Sequence, residues 1–353
     1  MSDTFTAKTP GALRETHMAR ETRESPLVVS RQLERNHGLC SELARRFQKS
    51  RPRLIATCAR GSSDHAAMYG KYLLGIELGL PVLSMAPSIG SIYGRAMDLR
   101  DTLFLVVSQS GKSPDLVACA QWARDNGAFV LGMVNEDGSP VQDVAHETIP
   151  LRAGPEQSVA ATKSYIAALC ALAHLAALVS GSRELARALE QLPGHLEQAL
   201  ALSWSGAVEA FADAESLYTV GRGLGYGVCL EAALKLKETS SLHAEGVSGA
   251  ELLHGPLALV RRRSRILMFS QEDETAPGMK ELAELLLKKQ AKLFLAKEDA
   301  PESVRLPVVP GMHPATAPLA MIASFYSFAN ELALARGLDP DAPPSLKKVT
   351  ETL

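Results

Sequence analysis

Apolar residues in this chain fall into two alternating textures, short runs of aliphatic and β-branched residues and longer stretches with helical spacing. Residues 53–58 are a short apolar run, 65–78 an amphipathic stretch closed by Gly79, and 81–85 a second run. Residues 103–107 are the next. Ser113-Pro114-Asp115 then carries the start signal of a helix, a hydroxyl at the N-cap and proline at the first helical position. Asn126-Gly127 ends that helix, and 128–134 supplies another strand. Strands separated by helices rather than by tight hairpins pair in parallel, and right-handed crossovers between them build a layered α/β sandwich.

After helical stretches at 158–180 and 183–202 the same order starts again: strand 217–220, helix 225–239, a loop ending in His254, strand 265–270, helix 276–290 and strand 292–296. The halves read as a duplicated domain with an offset of roughly 160 residues, joined near 195–210. A helix at 315–335 precedes the tail GLDPDAPPSLKKVTETL, whose prolines and aspartates favour an extended, exposed path. The most apolar helix, around 165–179, is alanine-rich with His174 inside it and reads as a buried core helix rather than a membrane span.

A chain of 353 residues suits two domains that each bury a core. Its net charge of -2 and its short basic run, Arg261 to Arg263, argue against a nucleic-acid footprint. The five cysteines (40, 58, 119, 170 and 229) lie in or beside apolar stretches without paired metal-ligand spacing, as expected of reduced thiols in a cytosolic protein. Residues 1–30 carry Arg14, Arg20 and Arg23 among glutamates and show no secretory signal. Neither a metal nor a cofactor is expected, and the protein is read as cytoplasmic.

Three strand-to-helix turns carry the candidate chemistry. Ser108-Gln109-Ser110-Gly111-Lys112-Ser113 places hydroxyls and backbone N–H groups at a helix N-terminus, which suits a dianionic phosphate. Ser62 and Ser63 occupy the corresponding turn after the first strand, and in a parallel sheet their hydroxyls converge on the same crevice. The third turn, Gly221 to Gly225, reads as a phosphate cradle, glycine-rich but without the spacing of a dinucleotide fingerprint. It precedes a helix on which Glu231, Lys235 and Glu238 share one face. In an anonymous helix that pattern is a solvated face with an ion pair; beside a crevice it is a set of proton-transfer groups. His254 is held between Leu253 and Gly255-Pro256, either as a structural histidine or as an imidazole that moves a hydroxyl proton. His65 and His243 read as cap or packing residues.

These residues resemble those of tandem SIS-domain (sugar isomerase) proteins, and are similar to the isomerase half of glucosamine-6-phosphate synthase and to stand-alone SIS-type glucosamine-6-phosphate deaminases. The resemblance implies two flavodoxin-like SIS domains, each a parallel-sheet three-layer α/β/α sandwich, spanning 31–200 and 201–338, with an N-terminal extension 1–30 and a tail 339–353 that contributes to the active site. It implies phosphate contacts from Ser108, Gln109, Ser110 and Ser113 and substrate contacts from Ser62, Ser63, Ala160 and Ala161. It makes Glu238 in LEAALKLKE the C1/C2 proton-transfer base, with Glu231 and Lys235 beside it. His254 in ELLHGPLAL becomes the ring-opening histidine, delivered from a partner subunit. Lys347 in SLKKVTET becomes the Schiff-base lysine, an assignment that its neighbour Lys348 leaves open by one position.

The departures bear on substrate choice. Ala161 stands where the synthase pattern has serine, Asp64 where it has an aromatic residue, and Lys112 where the phosphate turn usually has an acid, placing extra positive charge near the phosphate. The chain starts Met-Ser-Asp and its first cysteine is Cys40, so no glutaminase activity is expected. The resemblance therefore implies a homodimeric deaminase-isomerase converting glucosamine 6-phosphate and water to fructose 6-phosphate and ammonia. Fructosamine-6-phosphate deglycation and galactosamine-6-phosphate deamination remain open, as does a non-catalytic sugar-phosphate sensor. Partners other than a hexose or aminohexose 6-phosphate and a second subunit, nucleic acid and membrane included, are not expected.

Overall fold

The computed structural model describes residues 15–301 and 305–348. Two helices come first, α1 (His17–Arg23) and α2 (Ser25–Lys49). The first half then follows as β1 (Leu54–Cys58), α3 (Gly61–Leu78), β2 (Val82–Ser84), β3 (Thr102–Ser108), α4 (Pro114–Asp125), β4 (Phe129–Val134), α5 (Pro140–Val144) and β5 (Glu147–Pro150). Its strands are all parallel in the order β2-β1-β3-β4-β5. Central β3, TLFLVVS, is buried at every position, because helices cover both faces of a parallel sheet.

Helices α6 (Lys163–Ser180), α7 (Arg183–Ala201) and α8 (Ser205–Ala212) lead into the second half. There β6 (Ser216–Gly221), α9 (Tyr226–Ser240), β7 (His243–Ser248), α10 (Gly249–Leu253), β8 (Arg265–Phe269), α11 (Ala276–Lys288), β9 (Lys292–Ala296), β10 (Arg305–Leu306) and α12 (Ala317–Ala335) follow. The second sheet runs β10-β9-β8-β6-β7, the first sheet's order read from its other edge, and is again parallel throughout. Two five-stranded parallel sheets flanked by helices are the tandem α/β arrangement that the sequence implies.

Several local expectations change. Helix α3 begins at Gly61 rather than 65, so Ser62 and Ser63 lie in its first turn. The stretch read as a loop before His254 contains β7 and α10. Its polar HAEGVS sequence hides a strand because Gly246 lies close against α9, its would-be Cβ 3.0 Å from Leu230 Cδ2 and 3.1 Å from Leu230 Cα. The division drawn between residues 30 and 31 falls inside α2. Helix α6 is long and apolar enough to cross a bilayer, yet its residues are buried in the protein, His174 among them, stacked on His37 at 5.7 Å. All five cysteines are buried and unpaired.

One core serves both halves. Side chains from α2, α3, α6, α9 and α12 share a single apolar cluster, while smaller clusters lie beneath α4 and beneath α11. Helix α3 is the hinge of this packing. On one side Gly70 lies against Leu172 of α6, and on the other Gly227 of α9 presses on the backbone of α3. A Cβ at Gly227 would stand 2.5 Å from His65 O and 2.8 Å from Tyr69 N, atoms that cannot step aside as a flexible side chain can.

Gly227→Ala should therefore destabilise the protein by about 1–3 kcal/mol, the usual cost of overpacking a close contact. Gly194→Ala in α7, where nothing lies within 4 Å of the new methyl, should leave stability unchanged or slightly raised. Urea denaturation of the two variants checks this, and equal midpoints would show that the two helices separate freely.

Candidate active site

The order β2-β1-β3 puts a topological switch between β1 and β3, and in open α/β sheets ligands bind outside the carboxyl ends of strands at such a point. A cavity of about 600 Å³ opens there. Arg60, Gly61, Ser62 and Ser63 line it from the β1 side, and Ser108, Gln109, Ser110 and Ser113 from the β3 side. Lys235 and Glu238 enter from α9, Val159 and Ala161 from the segment before α6, Ser164 and Tyr165 from its first turn, and Leu346, Lys347 and Lys348 from the tail. The structure thus brings together the hydroxyl turns, the charged face of α9 and the tail lysines.

The serine turn is tightly organised. Gly111 has φ +64, and a Cβ there would lie 2.4 Å from Ser139 Oγ, so glycine is required twice over. Gly111 N donates to Ser108 Oγ at 3.0 Å and Lys112 N to Ser110 Oγ at 3.2 Å. Each hydroxyl thereby accepts from the backbone and keeps its own proton for a ligand. Ser113 is the N-cap of α4 without a side-chain capping bond, which leaves its Oγ free of that duty as well. The extra positive charge expected from Lys112 does not reach the cavity, because its ammonium pairs with Glu136 at 2.5 Å. The glycine turn before α9 is likewise no phosphate cradle. It lies outside the cavity lining, and Gly221 and Gly225 serve close packing against Cys229 and Gln271.

On α9 the three charged residues are not a solvated face. Glu231 and Lys235 are almost wholly buried, and Glu238 keeps 19% of its side chain exposed toward the cavity. Glu231 accepts from Tyr326 Oη at 3.2 Å, sits 3.5 Å from Lys235 Nζ, and meets His65 Nδ1 at 3.0 Å. Lys235 also donates to Glu238. Burial alone would push the Lys235 ammonium down, but the Glu231 and Glu238 carboxylates outweigh it and hold its pKa above the usual lysine range. Lys235 is thus a fixed cation that aims Glu238 into the cavity. Glu231 does not line the cavity and anchors the network from behind, while His65, read as a cap or packing residue, is its hydrogen-bond partner.

Other expected site residues divide. Ala161 lines the cavity, whereas Ala160 is buried behind it. His254 is exposed just beyond α10 and does not line the cavity of its own chain. In the tail, Lys348 donates to Glu156 Oε2 at 3.0 Å and to Ser158 O at 2.7 Å, while Lys347 lines the same cavity with no ion pair or hydrogen bond among the described residues. The tail is exposed along much of its length, as its composition implies, but it is tied down. Asp341 caps α1, accepting from His17 N at 2.6 Å and Met18 N at 2.8 Å.

Three residues escaped the sequence reading. Glu156 is fully buried and accepts from Thr162 N, Ser164 N, Ser164 Oγ and Lys348 Nζ. Burial pushes its carboxyl up, but the Lys348 ammonium and these hydrogen bonds outweigh burial and leave it below its ordinary value. Tyr165 points a buried hydroxyl without a partner among the described residues, and it too lines the cavity. Arg60 stands directly before the Ser62-Ser63 turn and grips Asp115 on α4. A lone cation beside a hydroxyl-rich turn was the available signal for Arg60. No comparable local signal marks Glu156 or Tyr165, which tertiary packing delivers.

A family model of the SIS domain matches residues 49–178 and 210–303, and the chain belongs to the SIS-domain family. Within it, the chain is similar to the isomerizing glutamine–fructose-6-phosphate aminotransferase of Symbiobacterium thermophilum, with 34% identity over 364 residues that take in 96% of this chain and 57% of that one. It therefore spans little more than half the length of that curated relative. A candidate phosphosugar isomerase from Silicibacter pomeroyi superimposes with a TM-score of 0.88 at 39% identity, covering 93% of this chain and 100% of the other. The C-terminal domain of glucosamine-fructose-6-phosphate aminotransferase from Francisella tularensis gives a TM-score of 0.84 at 25% identity, covering 95% and 100%.

The buried network makes a stability prediction. Lys235→Met leaves Glu231 without its cation in a site closed to water, a change that typically costs about 3–5 kcal/mol. Adding Glu231→Gln to that variant should recover part of the loss. A Lys235→Met protein as stable as the parent in chemical denaturation would show that Tyr326 and His65 alone satisfy Glu231.

Proposed function

We propose that this chain is an aminohexose-6-phosphate deaminase and isomerase, with glucosamine 6-phosphate and water as substrates and fructose 6-phosphate and ammonia as products. The observation that carries the reading is one cavity lined both by a hydroxyl-rich helix N-terminus and by a carboxylate held on a buried lysine. The turn at Ser108 to Ser113 takes the phosphate, and the sugar chain extends toward Glu238. In the open-chain aldehyde, Glu238 removes the C2 proton and returns it to C1, while O1 takes up a proton and the C2 amine gives one up. The product is an imine at C2, and water adds to it and expels ammonia, leaving the ketone. Lys235 offsets negative charge that builds on the substrate oxygen in the enolamine stage, and it does so without reorganisation because its position is already fixed.

Ring opening falls to His254. Its exposure outside the cavity of its own chain supports delivery to the site of a second subunit, so the working form is a homodimer with shared sites. The tail supplies a second route from the imine: its amine adds to C2 in place of water, ammonia leaves as the Schiff base forms, and water then releases the ketone and frees the lysine. Lys347 is the amine without a partner among the described residues, and Lys348 the one held on Glu156, so in this reading Lys348 secures the tail while Lys347 meets the carbonyl.

The test combines product and proton. The parent should release ammonia from glucosamine 6-phosphate and incorporate solvent deuterium into the recovered sugar at C1 or C2. Glu238→Gln should still bind glucitol 6-phosphate but lose about 10²–10⁴ in exchange rate, the usual span for removing a general base. Absence of ammonia from glucosamine, galactosamine and fructosamine 6-phosphates alike would leave a sensor. Near-parental exchange by Glu238→Gln would remove this carboxylate from the chemistry.

A further inference from the structure

We propose that Arg60 is a second phosphate-binding element of this cavity, a guanidinium fixed along one edge by a buried carboxylate and open along the other to the substrate's dianion. The inference rests on the proposed function and adds to it the source of positive charge. The serine turn offers hydroxyls, but two of its amide N–H groups, those of Gly111 and Lys112, are already spent on Ser108 Oγ and Ser110 Oγ. Hydroxyls alone are neutral donors, and a dianion is held about twice as strongly by charged ones.

The cations around the cavity are few, and most are engaged. Lys235 is committed to Glu231 and Glu238, Lys348 to Glu156 and Ser158 O, Lys112 turns outward to Glu136, and Lys347 is the tail amine that the proposed function gives to the carbonyl. Arg60 differs. It ends the segment after β1 as the N-cap of α3, directly before Gly61 at φ +52, and so sits across the crevice from the serine turn. Its Nε and one Nη both reach Asp115 Oδ2 at 2.8 Å, while the rest of the side chain is about half exposed, at 51%. Asp115 is itself fully buried and its other oxygen accepts from Leu116 N at 2.8 Å, so the carboxylate cannot swing away. A guanidinium carries five N–H donors, and the edge turned away from Asp115 remains for a ligand.

Asp115 gives the arrangement its logic. It occupies the first turn of α4, the helix that begins directly after the serine turn, and a bare carboxylate there would repel a phosphate. Arg60 cancels that charge and adds a planar fork suited to phosphate oxygens. Removing Arg60 therefore costs twice, through a lost donor and through an exposed repulsion, whereas removing both partners costs less than removing Arg60 alone.

Calorimetry with glucitol 6-phosphate and with unphosphorylated glucitol tests this on the full chain. Arg60→Gln, which removes the charge and leaves a shorter polar amide, should weaken glucitol 6-phosphate by about 10- to 100-fold, as expected for loss of hydrogen bonds to a charged group. Glucitol itself should be unaffected. Arg60→Lys should recover only part of the loss, since a point charge cannot grip Asp115 and phosphate along two edges. The double variant Arg60→Gln with Asp115→Asn should bind more tightly than Arg60→Gln alone. Parental affinity in Arg60→Gln overturns the inference, and so does an equal loss for both ligands, which marks a structural role. If the parent itself fails to bind glucitol 6-phosphate, the proposed function falls first; if the parent binds and the variant matches it, only Arg60's role falls.

Discussion

Gly227 lets two helices from different halves of the chain meet backbone to backbone, and the site is composite because of it. Helix α3 starts at the β1 turn and α9 carries Lys235 and Glu238, so their separation sets how far Glu238 stands from Ser62 and Ser63. The same contact places His65 of α3 on Glu231 of α9, which turns a packing junction into a hydrogen-bonded one. Low-dielectric burial then does the rest. A lysine and a carboxylate that would drift on a solvated face become a single oriented unit, held by Tyr326 from α12.

Duplication supplied two crevices, and the halves have diverged in how they use them. After β3 the chain turns through Ser108-Gln109-Ser110-Gly111 and leaves hydroxyls facing a cavity. At the corresponding place after β8 it turns through Ser270-Gln271-Glu272-Asp273, where Gln271 donates to Arg222 O at 3.1 Å and Asp273 Oδ2 at 2.6 Å. That turn closes on itself, with Asp273 accepting from Gln271 and Thr275 and Glu272 paired with Lys297. The second half instead contributes its first helix to the other half's crevice.

Much of this was legible from residues alone, for reasons particular to each element. The buried strand TLFLVVS and the Ser113-Pro114 cap announce themselves locally, because burial on both faces and helix initiation each have a short-range signature. Strand β7 did not, since HAEGVS is polar and its place in the sheet depends on Gly246 yielding to α9. The candidate site shows the same division. Helix spacing put Glu231, Lys235 and Glu238 on one face, but whether that face meets water or protein depends on α3 and α12, which lie far away in sequence. Lys112 misled for the converse reason, its neighbours in sequence suggesting the cavity while Glu136 draws it outward. Telling Lys347 from Lys348 likewise needed Glu156, nearly two hundred positions upstream, which holds Lys348 while Lys347 has no partner among the described residues.

The central claim is that one ligand spans both halves of the chain, phosphate on the first and reacting carbons on the second. A crystal structure with glucitol 6-phosphate tests it most directly. The account predicts phosphate oxygens within about 2.7–3.2 Å of donors on Ser108, Ser110 and Ser113, with C1 and C2 facing Glu238. Phosphate bound instead at the glycine turn before α9, or a ligand whose C1 and C2 face away from Glu238, would contradict it.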